Sequence, residues 1–210
     1  MKSFDIITEA DARSLSHGET VTLAARGHVT PLAQDTLRER RVTVVKDGQA
    51  PPDAAALVPE GDPRTLAIAS DHTGITLRQA LATRLRARGL SVRDLGTHTT
   101  DPVDYPDVAQ AVAVLVARGE VHAGIVIDGA GIGSAIAANK VNGIRAVMAT
   151  SEKVARYSRE HNGANVLTLG ATLVSQAEAE AIVDMWLGTP MREPRYIRRL
   201  AKIRQIEQAQ

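Results

Sequence analysis

Gly124-Ile-Val-Ile-Asp-Gly-Ala-Gly-Ile-Gly-Ser-Ala-Ile-Ala-Ala-Asn-Lys140 decides how the rest of the chain is read. Ile125, Val126 and Ile127 form a short apolar run bounded by glycines, the pattern of a buried parallel strand. Asp128 ends that run, and Gly129, Gly131 and Gly133 follow at alternate positions. Ser134-Ala-Ile-Ala-Ala then has the composition of a helix. Strand, glycine turn and helix aim backbone amides at one spot, where an anion is stabilised. A carboxylate beside such a spot points to proton transfer on an anionic or enolate-forming substrate.

The whole chain sets bounds on this reading. Its 210 residues suffice for one sizeable core and a small appendage. A net charge of +1 gives no bulk electrostatic reason to bind nucleic acid or an anionic membrane. One Trp, one Phe and three Tyr leave little for stacking bases. Without cysteine there is no disulfide framework, no thiolate catalysis and no Cys-ligated zinc. No apolar run approaches the roughly 18 residues that would span a bilayer. The N-terminal Met1-Lys-Ser-Phe-Asp-Ile-Ile-Thr-Glu carries acids early and lacks a signal-peptide core, so a cytoplasmic protein is expected.

Outward from the glycine stretch, strands and helices alternate. Leu66–Ala69 reads as a strand running into Ser70-Asp71-His72-Thr73-Gly74. Leu77, Leu81 and Leu85 give a helix closed by Gly89. Leu90–Leu95 is the second strand, and a loop over 96–106 carries Asp104-Tyr105-Pro106. A helix over Asp107–Arg118 precedes the central strand. Ile144–Met148 and Val166–Gly170 are the fourth and fifth strands, separated by a helix from Ser151 to His161-Asn162-Gly163. Ser175 with Glu178 is a capping-box signal for a helix to Leu187, and a basic helix starts near Arg195. Five strands alternating with helices predict an α/β, Rossmann-like parallel sheet over 64–210, whose ligands bind beyond the C-terminal strand ends. Residues 1–46 form a small N-terminal appendage, with Thr8 capping one helix, Pro31 opening another, and strands at Val21–Leu23 and Val42–Val45. Residues 47–63, rich in Pro, Gly and Asp, read as a linker.

Each chemical candidate has a plainer alternative. Gly129-Ala-Gly131-Ile-Gly133 lacks the G-x-G-x-x-G spacing of a dinucleotide fingerprint and suits a small phosphorylated ligand, or only a tight turn. Asp128 is a general base or a helix cap. His72 binds phosphate or shuttles protons, or is structural. His161 and Asn162 end a helix, where capping competes with function. Arg195 and Arg199 stand one helical turn apart, as a phosphate clamp or as part of a solvated basic face.

Residues 65 to about 204 resemble the ribose-5-phosphate isomerase B and galactose-6-phosphate isomerase family. The matching stretches are Ser70–Gly74, Asp104–Pro106, Gly129–Gly133 with Ile136–Lys140, Ser158–Asn162, Asn165–Gly170 and Arg195–Arg199. The resemblance implies a Rossmann-like homodimer with active sites shared across the interface. It also implies aldose–ketose interconversion of a sugar phosphate through an enediolate, without metal or cofactor. By the same resemblance Asp71 contacts sugar hydroxyls, Tyr105 lines the pocket, and His72, Arg195 and Arg199 hold phosphate. His161 assists ring opening, Asn162 binds substrate, and the amides of Gly129 to Gly133 meet the enediolate oxyanion.

The departures redirect the chemistry. Many family members place a catalytic cysteine where this chain has Asp128, and another branch places a glutamate base at the position of Ser134. A Ser or Thr usually stands at Ala130, and an arginine often stands at Thr172. Asp128 is expected to serve as the base, with Ser134 and His161 as the further catalytic candidates, and an open-chain tetrose phosphate joins the substrate candidates. Val29-Thr-Pro-Leu-Ala-Gln-Asp-Thr-Leu-Arg-Glu-Arg-Arg-Val42 is similar to a segment of ethanolamine-utilisation and related microcompartment enzymes. That similarity implies docking or assembly through residues 1–46 in a bacterial microcompartment.

Overall fold

The computed structural model describes residues 2–47, 57–59 and 63–209. Nearly all of the expected linker, 48–56 and 60–62, lies outside the described residues. Five parallel strands form the main sheet: β4 (Thr65–Ser70), β5 (Ser91–Asp94), β6 (Ala123–Asp128), β7 (Ala146–Met148) and β8 (Val166–Gly170), in the order β5-β4-β6-β8-β7. The interleaved helices are α3 (Ile75–Ala87), α4 (Tyr105–Ala117), α5 (Ile132–Ala138), α6 (Glu152–Glu160), α7 (Gln176–Gly188) and α8 (Pro194–Gln208).

Right-handed crossovers decide which face each helix covers. From β4 the chain steps to one side through α3, then jumps back over β4 to β6 through α4. Opposite steps put α3 and α4 on opposite faces, and the crevice where the direction reverses opens beyond β4 and β6. Side chains along each strand alternate between the two faces, and both faces are buried. Leu66, Ile68, Ile125, Ile127, Leu167 and Leu169 meet α3 and α7, with Trp186 fully buried among them. Ala67, Ala69 and Val126 meet α4 and α5. Large residues on one face and small ones on the other let α4 ride close to the sheet. A Cβ on Gly124 would stand 2.4 Å from Val112 Cγ1.

Residues 3–46 build a second, smaller sheet: β1 (Ser3–Ile7), α1 (Glu9–Ser14), β2 (Thr20–Val29), α2 (Pro31–Glu39) and β3 (Thr43–Lys46), all parallel in the order β1-β2-β3. Ile7, Leu15, Val21, Leu23 and Leu37 form its core. Thr8 and Asp11 close the expected capping box on α1. Two elements differ from the sequence reading. β1 went unread, although Phe4, Ile6 and Ile7 carry its apolar signal. β2 runs ten residues rather than three, because Ala24–His28 shows no alternation and is held by pairing, Ile6 to His28 and Ile7 to Val29, past an irregularity in β1. In the main sheet, α4 starts at Tyr105 rather than Asp107, since Pro106 is preorganised for a helix's first turn.

Helix α8 links the two units. Arg198 pairs with Asp47 at 2.8 Å, while Leu200 and Tyr196 pack with Met191, Leu57 and Val58. Arg145 fastens the same corner, donating to the carbonyls of Leu57, Gly143 and Gly163 at 2.9, 3.3 and 2.8 Å.

Leu81 is fully buried between α3 and the sheet. Leu81→Ala is expected to lower stability by about 2–5 kcal/mol in urea unfolding, through lost transfer energy and a residual cavity. Ser175 and Glu178 form the expected capping box at the start of α7. The Ser175 amide, then its hydroxyl, hold the Glu178 carboxyl below its ordinary 4.5. A lowered folded-state value means that the cap's contribution is complete above 4.5 and is lost as pH falls through the lowered value. Protection of the α7 N-terminal amides, taken relative to intrinsic exchange at each pH, is therefore expected to fall on acidification in the wild type and to lose that dependence in Glu178→Gln.

Candidate active site

Strands β4 and β6 end in register, Ser70 opposite Ile127, so the residues after them flank the same crevice. On one side Asp71 is buried, and its Oδ1 accepts the Thr73 amide at 2.8 Å and the Thr73 hydroxyl at 2.6 Å. This local turn is what an Asp at a strand end favours. His72 is half-buried, and its Nδ1 accepts the Val103 amide at 3.3 Å. Tyr105, 41% exposed, lies over the other side of the crevice, where a Cβ on Gly133 would stand 2.5 Å from its ring.

Asp128 is folded into its own loop. Oδ1 accepts the amides of Ala130, at 2.8 Å, and of Gly131. Oδ2 accepts the Ser134 amide, at 3.0 Å, and the Ser134 hydroxyl. Both side chains are buried. The sequence reading turned the glycine-loop amides toward a substrate oxyanion; the structure turns those of Ala130 and Gly131, with Ser134, onto Asp128. The reason is reach, since a carboxylate three residues before the helix N-cap is the nearest acceptor for orphan first-turn amides. The amides of Ile132 and Gly133, in the same first turn, have no acceptor within the helix.

Two threonines fix the loop from behind. Thr168 Oγ1 on β8 donates to the Gly131 carbonyl at 2.6 Å, and the Thr172 hydroxyl and amide donate to the Gly129 carbonyl at 2.6 and 3.0 Å. Gly131 has φ +76°, and a Cβ there would also stand 2.8 Å from the Leu169 carbonyl carbon. Only glycine fits this turn. Sequence reasoning missed Thr168, and it read Thr172 only as a missing arginine. Their contacts span about forty residues, which no local spacing reveals.

The remaining predicted residues form a second group. Helix α6 leaves the C-terminal edge of the sheet at Ser151 and runs back across it, so its nine residues carry His161 about 13 Å along the axis. The His161 ring stacks on Tyr157 at 4.7 Å and meets Tyr196 at 4.4 Å. Arg195 and Arg199 place their guanidinium groups 4.7 and 5.5 Å from the Tyr196 ring, and Asn162 Nδ2 donates to the Tyr157 carbonyl at 3.3 Å. Tyr157 and Tyr196 went unread, although they lie four residues before His161 and between the two arginines. One chain thus gathers Asp71, His72, Tyr105, Asp128, Gly129, Gly131, Gly133 and Ser134 at the crevice. His161, Asn162, Arg195 and Arg199 gather at the far end of α6. A groove of about 430 Å³ adjoins this second group, lined by Asn139, Ile144, Asn162, Ile203 and Glu207. Among the described residues no three His, Asp or Glu side chains converge as a metal site would require, and no helix is long and apolar enough to cross a membrane.

Residues 66–203 match the Ribose/Galactose Isomerase family model. The chain belongs to this family. It is 43% identical over 145 residues to ribose-5-phosphate isomerase B of Escherichia coli K12, an alignment covering 69% of this chain and 97% of the relative. The structure of Clostridium thermocellum ribose-5-phosphate isomerase B superposes with a TM-score of 0.68 at 47% identity, covering 69% of this chain and 98% of that one. A Mycoplasma genitalium ribose-5-phosphate isomerase B structure with bound ribulose-5-phosphate gives 0.67 at 40% identity, covering 70% and 97%. The family match begins within β4 and leaves the smaller sheet outside it.

Thr168→Val keeps the shape of the side chain but strips the buried Gly131 carbonyl of its hydroxyl donor. The carbonyl keeps the Ala135 amide at 3.2 Å, so urea unfolding is expected to show a loss of about 0.5–1.5 kcal/mol, the net worth of one hydrogen bond.

Proposed function

We propose that this chain is an aldose–ketose isomerase acting on a phosphorylated sugar, a ribose 5-phosphate-like pentose or a tetrose phosphate. The observation that carries this reading is the convergence of Asp71, His72, Tyr105 and the Asp128 loop on one crevice of a family-typical sheet. Asp128 is the base. It takes the proton from the carbon beside the carbonyl, and the electron pair moves into an enediolate. The resulting acid returns that proton to the neighbouring carbon while a hydroxyl proton passes between the two oxygens. Ser134, whose hydroxyl donates to Asp128, orients the carboxylate. Asp71 holds the sugar hydroxyls and His72 the phosphate, with Gly129, Gly131 and Gly133 shaping the floor.

The working unit in this reading is a homodimer with shared sites. His161, Asn162, Arg195 and Arg199 of one protomer complete the crevice of its partner, with the arginines on the phosphate. Two features support it: α6 carries His161 away from its own crevice, and Ile132, Ile136, Leu173 and Tyr105 leave an exposed apolar surface around the glycine loop. The division into 1–46, 47–63 and 64–210 is retained, supported by two sheets with separate cores. Residues 1–46 are assigned to docking or assembly of the microcompartment kind, which the exposure of Ile6 and Leu32 supports.

A second reading, a sugar-phosphate-binding or scaffold subunit of the same fold, is favoured by one observation. The four hydrogen bonds from its own loop occupy the Asp128 carboxylate. Proton NMR in D2O with four-, five- and six-carbon sugar phosphates separates the two. The isomerase reading expects one sugar to exchange and isomerise, and Asp128→Asn to slow this by about 10²–10⁴. An Asp128→Asn variant with the wild-type rate would overturn the base assignment. If no sugar exchanges but one raises the melting temperature, the binding-subunit reading replaces it.

A further inference from the structure

The loop between β5 and α4 is fastened from beneath by a single buried cation. Arg78, near the start of α3, has no exposed surface. Its Nη1 donates to Asp94 Oδ1, and its Nη2 to the Thr97 carbonyl, both at 2.8 Å. Asp94 Oδ1 also accepts the Gly96 amide at 3.1 Å. The guanidinium lies so close under the loop that a Cβ on Gly96 would stand 1.6 Å from Nη1. Thr97 continues onto the edge of β4, its amide donating to the Ser70 carbonyl at 3.4 Å.

The far end of this loop touches the crevice twice. Val103 donates its amide to His72 Nδ1 at 3.3 Å, and Tyr105, the first residue of α4, covers Gly133. A backbone N–H can only donate, so in the neutral ring Nδ1 is the acceptor and Nε2 carries the proton. The donor of His72 is thereby fixed on the ring edge away from the loop.

We propose that Arg78 is a positioning residue for the sugar-phosphate site: it seats residues 95–104 so that Val103 holds His72 in the Nε2–H form and Tyr105 covers the glycine loop. This rests on the reading of His72 as a substrate-binding residue. Burying an ion pair costs desolvation of both charges, so such a pair is weak support for stability alone. What the guanidinium supplies is direction, since its rigid fork reaches a carboxylate and a carbonyl at once, which a lysine ammonium on a flexible stem does not reproduce.

The test uses the full chain labelled with 15N-histidine, as wild type, Arg78→Met, Arg78→Lys and Asp94→Asn. In mildly alkaline buffer the ring nitrogens of His72 are expected to show the fixed Nε2–H tautomer in the wild type and averaged signals in Arg78→Met. With ribose 5-phosphate as substrate, KM is expected to rise about tenfold to a hundredfold, the span of one charged hydrogen bond, while kcat changes far less. Arg78→Lys, which keeps the charge, should fall between. If Arg78→Met does not fold, Arg78→Lys and Asp94→Asn carry the test. A folded variant with an unchanged tautomer overturns the proposal, whatever happens to KM. If the wild type does not act on any sugar phosphate, the functional reading fails, but the tautomer measurement still decides whether Arg78 positions His72.

Discussion

The Asp128 carboxylate is the charge around which the crevice is organised. Placed at the end of β6, it gathers the amides of Ala130, Gly131 and Ser134 and the hydroxyl of Ser134. That gathering forces the chain into a tight turn at Gly131, which in turn sets the start of α5. The carbonyls on the outside of the same turn are met by Thr168 and Thr172. The Ala130, Gly131 and Ser134 donors and the Gly129 and Gly131 carbonyls are therefore paired within the protein, a network that favours one fixed loop conformation. Catalytic carboxylates need this kind of fixed setting, because proton transfer depends on a fraction of an ångström. The same saturation would also suit a carboxylate whose work is purely architectural.

Residues read correctly from sequence share a physical property: their partners are near in the chain. The capping boxes at Thr8 and Ser175 close over three residues, and the leucines of α3 repeat every four. Strands β4, β6 and β8 of the main sheet were legible because both of their faces are buried, which leaves continuous apolar runs. The smaller sheet was only partly legible. The second half of β2 is held by its neighbour rather than by its own side chains, so no periodicity marks it. For the candidate site, residue types were legible and orientations were not. Nothing in the spacing of Asp128 says whether the carboxylate faces outward or back into its loop. Asp94, Gly96 and Arg78 are unremarkable as a string, and they become a unit only when β5 and α3 meet.

Parallel topology also explains why the candidate residues fall into two groups. A helix that returns the chain to the start of the next strand must end at the opposite edge of the sheet. His161 ends such a helix, so sequence proximity to β7 does not bring it to the crevice. Tyr157 and Tyr196 then sandwich the imidazole and present the arginines of α8 beside it. The second group is thus an assembled surface of its own, with its own aromatic floor.

The three carbonyl contacts of Arg145 have a mechanical consequence. One guanidinium joins Leu57, Gly143 and Gly163, tying three separate stretches of chain into one rivet. Gly163 follows His161 by two residues, and Leu57 lies on the chain that leads out of the smaller sheet. The stretch at Leu57 and the turn after His161 are therefore held together by one side chain rather than by backbone pairing. Through this rivet the stretch around Leu57, which also packs with Tyr196, is fastened directly to the corner that holds the imidazole.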